Sequence, residues 1–232
     1  MSAPPLATLA LDLAAARAAP AGRAWLAQAA EAAAGQPFDP ERFLALFAAV
    51  PRRVGKGPVR LETAERERLA ALGAPWPLDE MRVDELARQG LLLLAAAHAP
   101  AAAYAAAVDE AYRHGELAER QAVLRALPLL PAPERFLPLA TDACRSSIQP
   151  VFEAIACENP YPARYFPDLH FNQMVLKALF TGVALSRLVG LPERITPELV
   201  RMAADYVAER RAAGRSVPPD AERLIAEGAR PR

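Results

Sequence analysis

The residues best suited to chemistry lie within one segment of the chain, residues 145–180. His170, Gln173 and Lys177 are separated there by three and then four positions, the spacing that places side chains on one face of an α-helix. An imidazole, an amide and an ammonium aligned in this way could bind the polar end of a small molecule. The segment is poor in alanine, although the chain contains 54 alanines, and it carries one of only two lysines among 27 basic residues. We infer that side-chain identity matters most in this segment.

Lys177 needs a partner, because its neighbours on the predicted helix are mostly apolar. An ammonium shielded from water either pairs with an opposite charge or has its pKa lowered, since burying an unpaired charge costs several kcal/mol. Glu153 is the single charged residue in the run VFEAIA at 151–156. We therefore expect an ion pair between Lys177 and Glu153, with Arg145 as a competitor for the same carboxylate.

Two interpretations of this segment stay open. In the first, it forms a pocket for a small polar or aromatic metabolite, with the lysine–glutamate pair and amide donors on its walls. In the second, the same residues form a buried polar network that ties the proline-rich stretch 157–167 to two helices, with Asn159 bonded to backbone. The candidate ligand-binding residues are Arg145, Glu153, Asn159, Tyr161, Asn172, Gln173 and Lys177, and the predicted aromatic wall consists of Phe152, Tyr161, Phe166 and Phe171.

The second lysine, Lys56, lies between two glycines in the loop RRVGKGPVR at 52–60. The phosphate-binding loop of nucleotide-binding proteins requires a longer glycine spacing, a following Ser or Thr and a preceding strand, and this loop has none of them. We expect an exposed basic loop in which Lys56 makes, at most, a weak contact with an anion or an acidic partner.

Composition and motifs argue against several classes of protein. The formal net charge is zero, so the chain lacks the excess of basic residues typical of nucleic-acid-binding proteins. The sequence contains no Gly-x-Ser-x-Gly, His-Glu-x-x-His or dinucleotide-binding signature, and its two cysteines, Cys144 and Cys157, do not have metal-ligand spacing. We expect no catalytic residue, no metal, no cofactor and no nucleic-acid partner, and we expect reduced thiols in a cytoplasmic protein.

The elements that position these residues are predicted to be helices throughout. Alanine and leucine have the highest helix propensities and number 54 and 31, against 22 β-branched residues. Asp39 and Thr196, each followed by proline, mark helix starts. We expect the first of these helices to end before Pro51 and the stretch 157–167 to be non-helical, because prolines interrupt both. The fold class is therefore all-α.

Short helices punctuated by proline between residues 79 and 147 must lie antiparallel to their neighbours. We expect stacked helical hairpins, either solenoid-like or in an irregular array, and find no period that supports a named repeat family. We expect one compact domain over residues 1–232, with an N-terminal helical part at 5–53 and a main array at 60–227.

An uncharged run between Arg88 and Asp109 has the length of a membrane span. Pro100 interrupts it, and much of its length is alanine. We interpret the run as two buried helices that meet at Pro100, and we expect no transmembrane segment.

Three stretches of the C-terminal half resemble the signature of the EboA family. They read PVFEAIA, NPYP and NQMVLKALF and begin at Pro150, Asn159 and Asn172. The loop VGK and the run RVDELAR further upstream are similar to the same family. The resemblance extends from about residue 43 to residue 224.

The resemblance implies a helical bacterial protein in the traffic of secondary metabolites or their precursors toward the cell envelope, without assigned catalytic residues. It also implies importance for Glu153, Asn159, Tyr161, Asn172, Gln173 and Lys177. We expect a non-enzymatic protein that binds a small metabolite precursor or a partner protein of the same pathway. Two alternatives stay open: an enzyme that uses Lys177 as acid, base or imine-forming amine with Glu153 as its partner, and a pure protein–protein scaffold. The oligomeric state is left open.

Overall fold

The computed structural model describes residues 4–77 and 79–228, and this part of the chain consists of helices. Within it there are thirteen α-helices and four 3-10 helices, and the extended backbone forms only one isolated bridge, between Pro58 and Arg82. The prediction of an all-α fold is confirmed. Contacts along the backbone group the chain into two compact units, which divide after Leu139. The single domain over residues 1–232 stays a prediction.

The helices of the first unit are short and closely spaced. They are α1 (Pro5–Arg17), α2 (Pro20–Ala33), α3 (Pro40–Val54), α4 (Thr63–Ala71), α5 (Val83–His98), α6 (Ala101–Arg113) and α7 (Leu117–Ala126), followed by the 3-10 helices Leu127–Leu129 and Pro133–Phe136. The uncharged run is indeed two helices, because α5 ends at His98 and α6 begins directly after Pro100.

Helix α5 is the central element of the first unit. Every residue from Val83 to Ala95 is buried, and the helix packs against α1, α2, α3, α6 and α7. The contact with α1 is close because Gly90 has no side chain: a Cβ at that position would lie 2.6 Å from Cγ of Leu11. A stripe of fully buried alanines on α1 allows the same approach. The alanine content of the sequence therefore serves helix packing here.

Helix α3 begins as predicted, with the Asp39 side chain accepting a hydrogen bond from the amide of Arg42 at 3.0 Å. The predicted end before Pro51 is wrong, because the helix continues to Val54. Proline cannot donate to the carbonyl four residues earlier, which is that of Phe47. The buried guanidinium of Arg88 takes over this bond, and its Nε donates to the Phe47 carbonyl at 3.1 Å.

Arg88 also holds two carboxylates inside the first unit. It donates to Asp84 at 3.0 Å and lies 3.6 Å from Glu119. Burial lowers the pKa of Arg88, and the surrounding carboxylates oppose that shift. Paired in this way, a charge that is only 2% exposed is tolerated between α3, α5 and α7.

The second unit contains most of α8 (Leu137–Arg145) and then α9 (Gln149–Ala156), α10 (Tyr161–Tyr165), α11 (Asp168–Thr181), α12 (Pro197–Ala212) and α13 (Pro219–Gly228), with the 3-10 helices Leu185–Arg187 and Pro192–Arg194. Helix α12 starts at the predicted cap, where the Thr196 hydroxyl accepts from the amide of Leu199 at 3.1 Å. Gly182 ends α11 in the left-handed conformation, with φ of 76°.

The stretch 157–167 is partly helical, so the prediction that it is non-helical is wrong. Helix α10 occupies five of its residues. The Asn159 side chain accepts from the amide of Tyr161, the first residue of α10, at 3.0 Å and so stabilises the turn in which the helix begins. Pro162 lies in the first turn, where a helix needs no amide donor.

Among the described residues, no helix combines the length and the apolar character needed to cross a membrane.

Candidate functional site

A groove in the second unit brings the polar stripe of α11 against the C-terminal end of α8. His170, Gln173 and Lys177 lie on one face of α11, as their spacing predicts. The groove has a volume of about 580 Å³. Its lining consists of Thr141, Cys144, Arg145, Ser147, Phe166, His170, Gln173, Met174, Lys177, Phe180 and Thr181. It thus combines apolar surface with a few polar groups, the usual composition of a small-molecule site.

Lys177 caps the end of α8. Its Nζ donates to the backbone carbonyls of Cys144 and Ser146, each at 2.6 Å. Carbonyls at the end of a helix have no partner within the helix, and they carry the negative end of the helix dipole. A lysine at this position donates hydrogen bonds to the carbonyls and places a positive charge near the negative end of the dipole. Part of the role of Lys177 is therefore structural.

The predicted ion pair between Lys177 and Glu153 is wrong. The ammonium is satisfied by the two carbonyls and also lies 4.6 Å from the ring centre of Phe152. Burial lowers the pKa of Lys177, and the nearby Cys144 thiol opposes that shift weakly. Glu153 instead pairs with Arg187 at 2.7 Å and accepts a hydrogen bond from Gln149 at 3.0 Å.

Arg187 joins two acidic residues of the second unit. Besides Glu153, it pairs with Glu158 at 2.8 Å, while the amide of Glu158 donates to the Arg187 carbonyl at 2.8 Å. These hydrogen bonds raise the pKa of the Arg187 guanidinium above its ordinary value. Glu158 has a φ of 50°, a conformation uncommon for a residue with a side chain, and both bonds hold it there.

Asn159, in the turn before α10, and Tyr161, the first residue of α10, are buried and do not line the groove. The Asn159 side chain donates to the carbonyl of Ala154 at 3.0 Å and accepts from the amide of Tyr161. The Tyr161 ring packs against Tyr165 and Phe166, with centroid distances of 4.8 Å and 6.1 Å. Within the predicted set, these two residues belong to the packing of the turn.

Two polar atoms of α11 are buried without a hydrogen-bond partner in the described part of the chain, Nδ1 of His170 and Oδ1 of Asn172. Buried polar atoms normally have a hydrogen-bond partner, so these two atoms are exceptions within α11. His170 lines the groove, whereas Asn172 lies behind it on the buried side of the helix.

The remaining predicted residues, Arg145 and Gln173, are exposed and line the groove. Arg145 forms no ion pair with any carboxylate in the described ranges. Arg145, Gln173 and Lys177 are thus brought together at the groove, and Glu153, Asn159, Tyr161 and Asn172 lie outside its lining. Whether the seven bind a ligand stays a prediction.

Sequence reasoning missed two arginines with structural roles in the second unit. Arg187 joins Glu153 to Glu158, and Arg194 donates to the carbonyls of Ala163 and of the groove-lining Phe166 at 2.6 Å and 2.8 Å while lying 4.6 Å from the ring centre of Phe171. Both occur among many other arginines, so neither composition nor local spacing distinguished them. Their partners lie about thirty residues away in sequence, a separation that helical periodicity does not reach.

Lys56 belongs to the first unit, whereas every residue that lines the groove belongs to the second unit. The loop that carries it is exposed, as expected, although Arg52 and Arg53 belong to the last turn of α3. Its role as an anion or partner contact stays a prediction.

In the described parts of the chain, no cluster of three or more His, Cys, Asp or Glu side chains is arranged to hold a metal ion. Fold and site together define an all-α protein with an open groove along one polar helix face. The chain belongs to the EboA family: the profile described as metabolite traffic protein EboA matches residues 9–226. This confirms the resemblance seen in the sequence. No curated protein and no solved structure matches the chain.

Proposed function

We propose that this EboA-family chain is a non-enzymatic binding protein of metabolite traffic, and that it holds a small metabolite precursor in the groove beside α11. The observation that carries the proposal is the alignment of His170, Gln173 and Lys177 along a groove of about 580 Å³. That volume lies within the range of small-molecule sites, roughly 300–1,000 Å³. The family description supports a metabolite as the occupant.

The polar groups indicate what kind of molecule fits. Arg145 and Lys177 bring positive charge to the groove, His170 and Gln173 add polar side chains, and Met174 and Phe180 provide apolar surface. A ligand with an apolar or aromatic body and a carboxylate or other anionic end would match this arrangement.

Binding is favoured over catalysis because of the state of Lys177. An amine that attacks a carbonyl group must be neutral and free to move, whereas the Lys177 ammonium donates two hydrogen bonds to carbonyls and lies over Phe152. Glu153, the acid–base partner that the enzyme hypothesis needs, pairs with Arg187 instead.

The exposed apolar residues of α11 suggest an alternative occupant. Leu169 is 60% exposed and Phe180 is 72% exposed, so α11 leaves two large apolar side chains that a protein surface could cover. A partner protein of the same pathway that covers α11 is therefore the alternative to a small molecule. Cytoplasmic location also belongs to the proposal, supported by two buried cysteines that are not joined in a disulfide.

The test is native mass spectrometry of the protein purified gently from the cells that produce it, with two matched variants. Gln173→Trp places a bulky side chain in the groove at an exposed helix position, and Gln28→Trp makes the same change at an exposed position of α2. We expect a small-molecule adduct in the wild type and in Gln28→Trp and its loss in Gln173→Trp. Adducts in all three forms, or in none, would contradict the proposal, and recovery of a protein alone would favour the partner.

A further inference from the structure

One end of the first unit carries a cluster of exposed cations, which we call the basic end: Arg23, Arg52, Arg53, Lys56 and Arg60. They come from the start of α2, the last turn of α3 and the loop that follows α3. The chain as a whole has a net charge of zero, so five exposed cations in one place are a local excess.

Close packing brings these segments together. A Cβ at Gly22 would lie 2.3 Å from the carbonyl oxygen of Arg53, so the beginning of α2 touches the end of α3. Arg17, at the end of α1, donates to the backbone carbonyls of Val59 and Arg60 and pairs with Glu65. These bonds fasten the loop to the helices beside it.

The segments that carry the basic end contain no acidic side chains, and the nearby Glu65 of α4 pairs with Arg17. The stretches 13–30 and 42–61 contain no Asp or Glu. In the described ranges, none of the five cations forms an ion pair, although Arg53 lies 6.0 Å from the ring centre of Trp25. An uncompensated set of like charges is a surface that attracts an anionic partner and repels a basic one.

The loop adds hydrogen-bond donors to this charge. Among the described hydrogen bonds, none uses the amide N–H groups of Gly55, Lys56 or Gly57. No atom lies within 4 Å of where a Cβ would stand on either glycine, so the backbone there is accessible. The loop borders a wide, shallow depression of about 620 Å³ that also includes Arg17 and Arg60. Carboxylates accept hydrogen bonds from such amides as well as from cations.

We propose that the basic end is a docking surface for an acidic segment of a partner protein. The five cations are spread over two helix ends and a loop, which suits several carboxylates along a peptide better than one small anion. The proposal concerns the first unit and does not depend on what occupies the groove of the second unit.

Other anionic partners fit the surface less well. An anionic membrane would be helped by apolar side chains that insert, yet none of the large exposed apolar residues of the described chain lies before Leu72. A single-stranded nucleic acid would be helped by aromatic rings for stacking, and the nearest ring, Trp25, is half-buried and covered by Arg53.

The test measures binding of a fluorescein-labelled peptide of alternating Asp and Glu to the full chain by fluorescence anisotropy. The variant Lys56→Glu/Arg60→Glu reverses two charges of the basic end, and Arg164→Glu/Arg215→Glu reverses two exposed arginines of the second unit as a matched control. We expect about a tenfold loss of affinity in the first variant and none in the control. Raising the salt concentration should weaken binding by the wild type.

Three further binding probes distinguish an acidic protein segment from the other anionic partners. They are vesicles that contain phosphatidylserine, single-stranded DNA and inorganic phosphate. The proposal is overturned by peptide affinity that is absent in the wild type, or that falls equally in both variants. Tighter binding of vesicles, DNA or phosphate than of the peptide would also overturn it. Circular dichroism of both variants confirms that the helices are intact before the affinities are compared.

Discussion

Lys177 donates a hydrogen bond to the backbone carbonyl of Cys144, a residue 33 positions earlier in the sequence. The same ammonium bonds the carbonyl of Ser146, so one side chain closes the end of α8 and fixes α11 beside it. The groove proposed to bind a metabolite exists because these two helices are held at this distance. The lysine therefore builds the site as well as lining it.

Replacing Lys177 with methionine should destabilise the protein. Methionine keeps most of the apolar stem but leaves two helix-end carbonyls without their donor, and we expect a loss of about 2–3 kcal/mol in the free energy of unfolding. Urea unfolding measures it. The matched control is Lys56→Met, which removes the other lysine from an exposed loop and should change stability little. Equal unfolding midpoints for wild type and Lys177→Met would refute the capping role.

Cys144 should be inert toward thiol reagents in the folded protein. Burial raises the pKa of its thiol to about 12, so at pH 8 only about one molecule in ten thousand carries the reactive thiolate. A Cys157→Ala variant, in which Cys144 is the single remaining thiol, should react with Ellman's reagent only after denaturant is added. Rapid reaction of the native variant would contradict the burial of this thiol.

The same shift predicts how stability depends on alkaline pH. The unfolded thiol ionises near its ordinary pKa of 9.0, while the folded thiol stays protonated up to about pH 12. The contribution of the Cys144 thiol to the free energy of unfolding is therefore fully present below pH 9 and is lost as the pH rises toward 12. Wild type should lose stability between pH 8 and pH 10 more steeply than Cys144→Ala, measured by urea midpoints in each buffer. Parallel curves would show that Cys144 does not contribute.

Arg88 and Pro51 should be energetically coupled through the carbonyl of Phe47. Arg88→Met alone removes the buried partner of Asp84, which keeps only the more exposed Arg82 at 3.2 Å, and we expect a loss of about 3 kcal/mol. In a Pro51→Ala background, the alanine amide can donate to Phe47 as in a regular helix, so the same substitution should cost about 1 kcal/mol less. A double-mutant cycle by urea unfolding measures this difference. Strict additivity would exclude the exchange of donors.

Arg187 should matter more to stability than an arginine in an exposed ion-pair cluster. Its side chain is 32% exposed and bridges Glu153 and Glu158. Allowing for screening by water, Arg187→Gln should cost about 1–2 kcal/mol. Arg201→Gln is the control, because Arg201 also bridges two carboxylates but lies in the solvent. Melting temperatures that fall equally in both variants would contradict the structural role of Arg187.

Much of the fold follows from local signals in the sequence. The caps at Asp39 and Thr196 and the stripe on α11 depend on residues within one or two turns of each other, so periodicity and cap chemistry predicted them. The errors arose where a distant side chain changes local preference. Helix α3 continues through Pro51 because Arg88, which lies 41 positions from Phe47, replaces the missing bond.

The candidate site, like the fold, was predicted only where its signal lies within a few residues of sequence. Its helix face was identified because three polar residues recur at helical spacing. The predicted partner of Lys177 was wrong. Its actual partners are two backbone carbonyls at the end of α8, and backbone carbonyls have no sequence signature. Glu153 was predicted to pair with Lys177 because it is the single charged residue of its run, whereas its actual partner, Arg187, is one of 25 arginines in the chain.

The central claim, that the groove beside α11 is where the occupant binds, is tested most directly by photo-crosslinking in the producing cells. A benzophenone amino acid placed at position 180, where an exposed phenylalanine already lines the groove, should form an adduct after irradiation, and mass spectrometry of that adduct shows whether the occupant is a metabolite. The same amino acid at position 28 serves as the control. We predict a small-molecule adduct at position 180 alone. An absent adduct, or the same adducts at both positions, would contradict the account.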